Sequence, residues 1–319
     1  MTLVAQDLVK HYRTRDGAVH AVDGVSFTVQ RGQTLGLVGE SGCGKSTTAR
    51  MLVRLEKPTS GRILLDDEDI ASMRGTALSR VRRRIQMVFQ DPTSSLNPRL
   101  TAGTALREVL TVHRIAATDA QRRTRVNELL EMVGLPASTG DRYPHQLSGG
   151  QRQRVGIARA LAVQPDVIVL DEPVSALDVS VRAEVMNLLV RLRDELGLTY
   201  VFISHDLGMV RHISDRIAVM YLGRVLETGD WRTVSDTPLH PYTRSLRDAV
   251  PVPDPEVEAR RVTTPLRGEV PDAVHPPPGC TFHPRCPYAE DRCRREVPTL
   301  REIASRHRAA CHFSEQLYL

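Results

Sequence analysis

The stretch that most constrains this chain is GESGCGKST, residues 39–47. It follows an apolar run, TLGLVG, and leads into STTARMLVRL, whose pattern suits a helix. A strand, a turn with glycines at fixed places, and a helix opening on Lys and Ser form a specific order of elements. Glycines let the backbone N–H groups of such a turn converge on phosphate oxygens with no Cβ in the way. The following helix points its positive end at the anion. The turn therefore reads as a phosphate cradle built from Gly39, Ser41, Gly42, Cys43, Gly44, Lys45, Ser46 and Thr47. Lys45 is expected to reach the outer phosphates and Ser46 to offer its hydroxyl to Mg²⁺. Cys43 reads as a small filler within the loop.

The surrounding pattern fits an α/β layered protein. Apolar strand candidates VSFTVQ, TLGLVG, IQMVF, VIVLD, TYVFIS and IAVMYL alternate with amphipathic helices. One helix is expected from TDAQ, where Thr118 and Gln121 have capping-box spacing, to Gly134. Its apolar positions are Val126, Leu129, Leu130 and Val133. A second carries Val181, Val185, Leu188, Leu189, Leu192 and Leu196 on one face, with Gly197 after it. From about residue 236 prolines crowd PVPDPE and HPPPG, which suggests a linker. The expected division is a main domain over 1–235 and an extension over 236–319.

The run VIVLDEP, residues 167–173, reads as a buried strand ending in two acids. Beside a phosphate cradle, Asp171 is placed to hold Mg²⁺ and Glu172 to polarise an attacking water. The reaction implied is in-line attack on a γ-phosphate.

The longer motif LSGGQRQRVGIARAL, residues 147–161, is more specific. With it, residues 1 to about 250 resemble the ATPase subunit of ABC transporters. That resemblance implies a P-loop NTPase fold: a RecA-like core, an antiparallel β part, a helical subdomain over about 91–160, and a small C-terminal extension. It implies that Ser148, Gly149, Gly150 and Gln151 close over ATP held by a partner subunit. By the same resemblance Tyr12 stacks on adenine, Gln90 reaches Mg²⁺ and the attacking water, Asp178 faces the dimer interface, and His205 contacts the γ-phosphate. His11, His20, His113, His145, His212 and His240 read as structural.

FQDPTSSLNPR, HPYTRSL and the cysteine-bearing tail resemble the oligopeptide/dipeptide importer branch. The resemblance implies two membrane permease subunits, an extracellular substrate-binding protein, and either a second, similar ATPase or a second copy of this chain. Nickel, glutathione or an oligosaccharide are alternative cargoes. An ABC-type ATPase acting on nucleic acid or ribosomes is a further reading, as is an ATP-binding metal sensor without turnover. One cradle, one signature and no heptad run argue against the former. Glu172 and His205 argue against the latter. The net charge of +5 is carried almost wholly by dispersed arginines, and aromatics are only 4%, so a nucleic-acid partner is not expected. No apolar run approaches membrane-span length, and the start of the chain does not read as a signal peptide. The expected place is the cytoplasmic face of the membrane.

Four of the five cysteines, Cys280, Cys286, Cys293 and Cys311, fall in the tail. Soft thiolates in a reducing compartment favour a metal over disulfides. The spacing lacks the C-x₂-C pairs of zinc ribbons. Resemblance to tailed peptide-importer ATPases implies a [4Fe–4S] cluster, with Zn²⁺ or free thiols as alternatives. His283, His307 and His312 are spare ligand candidates.

Overall fold

The computed structural model describes residues 2–91, 96–250 and 268–318. PVPDPE and part of FQDPTSSLNPR lie outside them. In chain order the strands and helices are β1 (Thr2–Thr14), β2 (Gly17–Gln30), β3 (Thr34–Val38), α1 (Lys45–Leu52), β4 (Ser60–Leu65), β5 (Glu68–Asp69), α2 (Gly75–Arg84), β6 (Ile85–Val88), α3 (Ala102–Val112), α4 (Asp119–Met132), α5 (Gly149–Leu161), β7 (Val167–Asp171), α6 (Val179–Leu196) and β8 (Thr199–Ser204). There follow α7 (Leu207–Ile213), β9 (Arg216–Tyr221), β10 (Arg224–Asp230), α8 (Trp231–Asp236), α9 (Pro241–Asp248), α10 (Asp291–Arg295), β11 (Arg301–Ala304), β12 (His307–Ala309) and α11 (Ser314–Tyr318). Among the described residues no helix is long and apolar enough to cross a membrane.

The chain divides into two compact units. The first holds Gln30–Gly32 and Ser72–Val201. In it β6 and β7 pair in parallel, Ile85 opposite Val167 and Val88 opposite Leu170. All five residues of β7 are buried, which is why VIVLD is a continuous apolar run and not an alternating one. The helical part runs through α3, α4 and α5. The expected capping box starts α4: Thr118 Oγ1 accepts from Gln121 N at 3.2 Å, and Gln121 Oε1 accepts from Thr118 N at 3.1 Å. Val126, Leu129, Leu130 and Val133 are buried, and Gly134 ends the helix at φ 70°. The stripe on α6 is shorter than the sequence suggests. Val185, Leu188, Leu189 and Leu192 are buried, but Leu196 is 46% exposed. The last turn runs past the apolar layer, and Gly197 then stops the helix in a left-handed cap at φ 64°.

The second unit holds Thr2–Val29, Gln33–Ala71 and Phe202–Leu319. It contains a sheet ordered β2-β1-β4-β5, in which β1 and β4 are antiparallel. It also contains strands ordered β11-β12-β10-β9-β3. β3 and β9 are parallel there, and the tail strands β11 and β12 join antiparallel to β10. HPPPG, residues 275–279, forms neither helix nor strand, as its prolines require.

Candidate functional site

β3 is buried throughout and delivers the chain into the glycine-rich turn. Gly44 takes φ 101° and caps α1, and a Cβ there would lie 2.1 Å from the Ala21 carbonyl oxygen, so only glycine fits. No side chain caps α1. The Lys45 ammonium is buried and folds back into the turn, donating to Gly39 O at 2.7 Å and Glu40 O at 2.9 Å. Cys43 is buried beneath it, its Sγ 3.7 Å from Lys45 Nζ, and burial raises its thiol pKa. Cys43 thus fills space, as expected. Ser41 and Gly42 are exposed, and Ser46 and Thr47 half-buried. A glycine turn with a lysine inside it and an uncapped helix behind it suits a polyphosphate.

Elsewhere in this unit Tyr12 lies on β1, half-buried, with Lys10 Nζ 4.8 Å from its ring centroid. His205 follows β8 and is exposed. The next residue, Asp206, caps α7 by accepting from Gly208 N at 2.7 Å and Met209 N at 3.2 Å. His205 therefore lies in the turn between β8 and α7.

In the first unit the acid strand ends as its sequence suggests. Asp171 is buried at the tip of β7. Glu172 follows with φ 46°, a left-handed conformation that a side-chain-bearing residue adopts at a cost of roughly 1–3 kcal/mol. Gln90 Nε2 donates to Glu172 Oε2 at 2.9 Å, so two candidate residues 82 positions apart meet directly. Ser148 begins α5 with a reciprocal cap: its Oγ accepts from Gln151 N at 3.2 Å, and Gln151 Oε1 accepts from Ser148 N at 3.0 Å. A Cβ on Gly150 would fall 2.4 Å from Val181 Cγ1 on α6. Packing against Val181 therefore demands glycine at this place. Asp178 is the exposed N-cap residue of α6 and makes no side-chain cap bond.

The four tail cysteines line one small cavity together with His283 and His312. All are free thiols. Burial pushes the Cys280 thiol up to about 11 and that of Cys286 up to about 12, and it raises Cys311 as well. His307 is not a spare ligand. Its Nε2 meets Glu227 Oε1 at 2.7 Å, both residues being buried. Tetrahedral zinc at its ordinary bond length of about 2.3 Å needs sulfurs about 3.8 Å apart. Among the described residues the only three metal-ligating groups within 4.8 Å of one another are His11, His20 and Asp23. No three of the tail cysteine sulfurs lie within 4.8 Å of one another.

The His11, His20 and Asp23 grouping was not apparent in the sequence, where both histidines read as structural. The two imidazole centroids lie 4.0 Å apart across β1 and β2 with their planes tilted by 45°, and Arg224 donates to Asp23 Oδ2 at 2.7 Å. Two histidines flanking a hairpin three residues from an acid are the only signal that could have marked it.

Two family descriptions match the chain: ABC transporter over residues 22–175, and oligopeptide/dipeptide transporter, C-terminal region, over residues 226–293. The probable peptide ABC transporter ATP-binding protein y4tS of Sinorhizobium fredii is 53% identical over 97% of this chain and 89% of its own length. The oligopeptide transport ATP-binding protein AppF of Bacillus subtilis is 50% identical over 97% of this chain and 96% of its own. Among solved structures, the dimeric ATP-binding cassette MJ0796 bound to ADP and Pi superposes with TM-score 0.66 at 34% identity. It spans 72% of this chain and 99% of the cassette. The cbiO1 protein of Clostridium perfringens gives 0.65 at 33%, over 74% and 92%. The chain belongs to the ATP-binding proteins of ABC transporters, in the branch that carries the oligopeptide/dipeptide transporter C-terminal region.

Proposed function

We propose that this chain hydrolyses ATP to drive a membrane importer of peptides. The observation that carries the cargo is whole-chain identity of 50–53% to ATP-binding proteins named for peptide and oligopeptide transport, tail included. In this reading residues 1–235 are the ATPase, with its helical subdomain over about 91–160, and 236–319 the transporter-specific extension. ATP lies with its adenine on Tyr12 and its phosphates in the 39–47 turn, where Lys45 leaves the Gly39 and Glu40 carbonyls to meet them. Ser46, Gln90 and Asp171 would hold Mg²⁺, whose part is to neutralise phosphate charge. Glu172 orients and deprotonates the attacking water, and the bond from Gln90 supports placing both at one centre. His205 contacts the γ-phosphate.

ATPase subunits of this family work as dimers with membrane permeases. Here Ser148, Gly149, Gly150 and Gln151 complete the partner's nucleotide site, with Asp178 at the interface. The dimeric cassette with ADP and Pi supports that arrangement. The partner is a second, similar ATPase or a second copy of this chain, and an extracellular binding protein presents the cargo. In the tail, Cys280, Cys286, Cys293 and Cys311 would hold a [4Fe–4S] cluster. The deciding experiment is uptake into vesicles containing this chain, its partner ATPase and two permeases. ATP-dependent accumulation of labelled di- or oligopeptide is expected. Uptake of nickel, glutathione or oligosaccharide, with no peptide uptake, would overturn the cargo.

A further inference from the structure

Glu40, the second residue of the glycine-rich turn, carries a negative charge in a place built for an anion. Three groups fix it. Lys45 Nζ donates to its carbonyl at 2.9 Å. Its N–H donates to the Tyr242 hydroxyl at 2.8 Å. Its carboxylate receives two parallel bonds from Arg285, Nη1 to Oε2 at 2.6 Å and Nη2 to Oε1 at 3.1 Å. The paired fork geometry is the strong form of this interaction. The Arg285 side chain is 5% exposed, against 26% for Glu40. It lies in the turn His283–Arg285, immediately before Cys286. Behind it Tyr221, Tyr242 and Phe282 form a buried aromatic cluster, with Tyr221 and Phe282 edge to face at 5.3 Å and Tyr242 and Phe282 at 5.4 Å. The guanidinium sits 5.8 Å from the Tyr221 centroid. A two-bond contact spanning 245 residues, with the Arg285 side chain only 5% exposed, is more than a surface ion pair.

We infer that Arg285, from the cysteine-bearing tail, is a positioning residue of the nucleotide site: it neutralises Glu40 and holds that carboxylate where it does not oppose the phosphates. The inference rests on residues 39–47 being the phosphate loop. Without Arg285 the Glu40 charge is uncompensated and free to face the ligand, and like-charge repulsion in a half-buried site is substantial. Removing the Glu40 charge as well should then restore binding, which a purely structural role for Arg285 does not predict.

The experiment is titration of the full chain with MgATP, by calorimetry or with a fluorescent ATP analogue, for Arg285→Met, Glu40→Gln and the double variant. Arg285→Met should weaken binding by about tenfold, a defect that shrinks as salt screens the carboxylate. The double variant should recover most of that loss. Arg285→Lys, which keeps the charge and loses the fork, should fall between and covers the case in which Arg285→Met does not fold. Wild-type affinity in Arg285→Met and Arg285→Lys overturns the inference. So does a double variant no better than Arg285→Met. Lys45→Ala, run alongside, separates the two levels. Lost affinity there with an inert Arg285 series sinks only the inference, whereas unchanged affinity in Lys45→Ala removes the phosphate-loop reading beneath it.

Discussion

Acid should destabilise the folded chain through one imidazole. His240 is 1% exposed, and burial lowers its pKa to about 3. Its Nδ1 accepts from Tyr242 N at 3.0 Å, capping α9, and an accepting nitrogen must be unprotonated. The backbone N–H of His240 donates to the buried Glu227 Oε2 at 2.9 Å. In the unfolded chain a histidine titrates near about 6.5. Between those two values the unfolded state binds a proton that the native state refuses. The stabilisation is therefore complete above about pH 6.5, declines by about 1.4 kcal/mol per pH unit below it, and reaches a loss of about 3 kcal/mol at pH 4. Carboxylates titrate in the same window, so the informative quantity is a difference. His240→Asn can still accept the Tyr242 N–H as an N-cap but carries no proton in this range. Urea unfolding followed by the fluorescence of Trp231, the sole tryptophan, should show a shallower fall for the variant between about pH 7 and about pH 4. Parallel profiles for the two proteins would refute a buried neutral imidazole.

Three further outcomes are expected. Glu172→Gln should bind ATP normally and release phosphate about 10²- to 10⁴-fold more slowly; near-normal turnover would remove Glu172 from the chemistry. Gly150→Ala should cost about 1–3 kcal/mol in denaturant unfolding, because its Cβ meets Val181 Cγ1, and Val181→Ala should relieve it; no relief would mean that the collision is not the cause. Protein prepared without oxygen should carry iron and a visible absorption that bleaches on reduction, and both should drop in Cys286→Ser. Wild-type protein with neither iron nor zinc would dismiss metal binding by the tail.

Local chemistry is what the sequence discloses. The Thr118 box, the apolar run of β7 and the stop at Gly134 are contained within a few residues each, and all appear in the fold as read. The positive φ of Gly44 is equally local, although the Ala21 carbonyl that also demands glycine there lies on β2 and is not. Long-range partners are different. Nothing in the spacing of Gln90 and Glu172 says that they touch; resemblance placed both at one centre. His307 looked available beside four cysteines because its partner, Glu227, lies 80 residues earlier on β10. Leu196 looked like core because helical periodicity does not announce where a packing layer ends. His11 and His20 face each other only once β1 and β2 pair.

The tail illustrates why composition misleads about attachment. Proline-rich sequence before it suggests an appendage, yet β12 pairs with β10, placing Ala309 opposite Glu227, and Ala310 N donates to Leu226 O at 2.7 Å. Glu227, with no exposed surface, accepts from Leu239 N, His240 N and His307 Nε2. The strand order β12-β10-β9-β3 then continues to β3, which runs straight into Gly39. The tail and the phosphate turn thus hang on one run of strands, and Arg285 closes the circuit at Glu40. Deleting everything after residue 235 would strip β12 from β10 and leave the buried Glu227 side chain without all three of these donors, each unsatisfied bond costing about 1–3 kcal/mol. A truncated protein that binds ATP poorly would therefore report unfolding as much as lost positioning. Point substitutions at Arg285 and Glu40, which leave the strands paired, are the perturbations that separate the two.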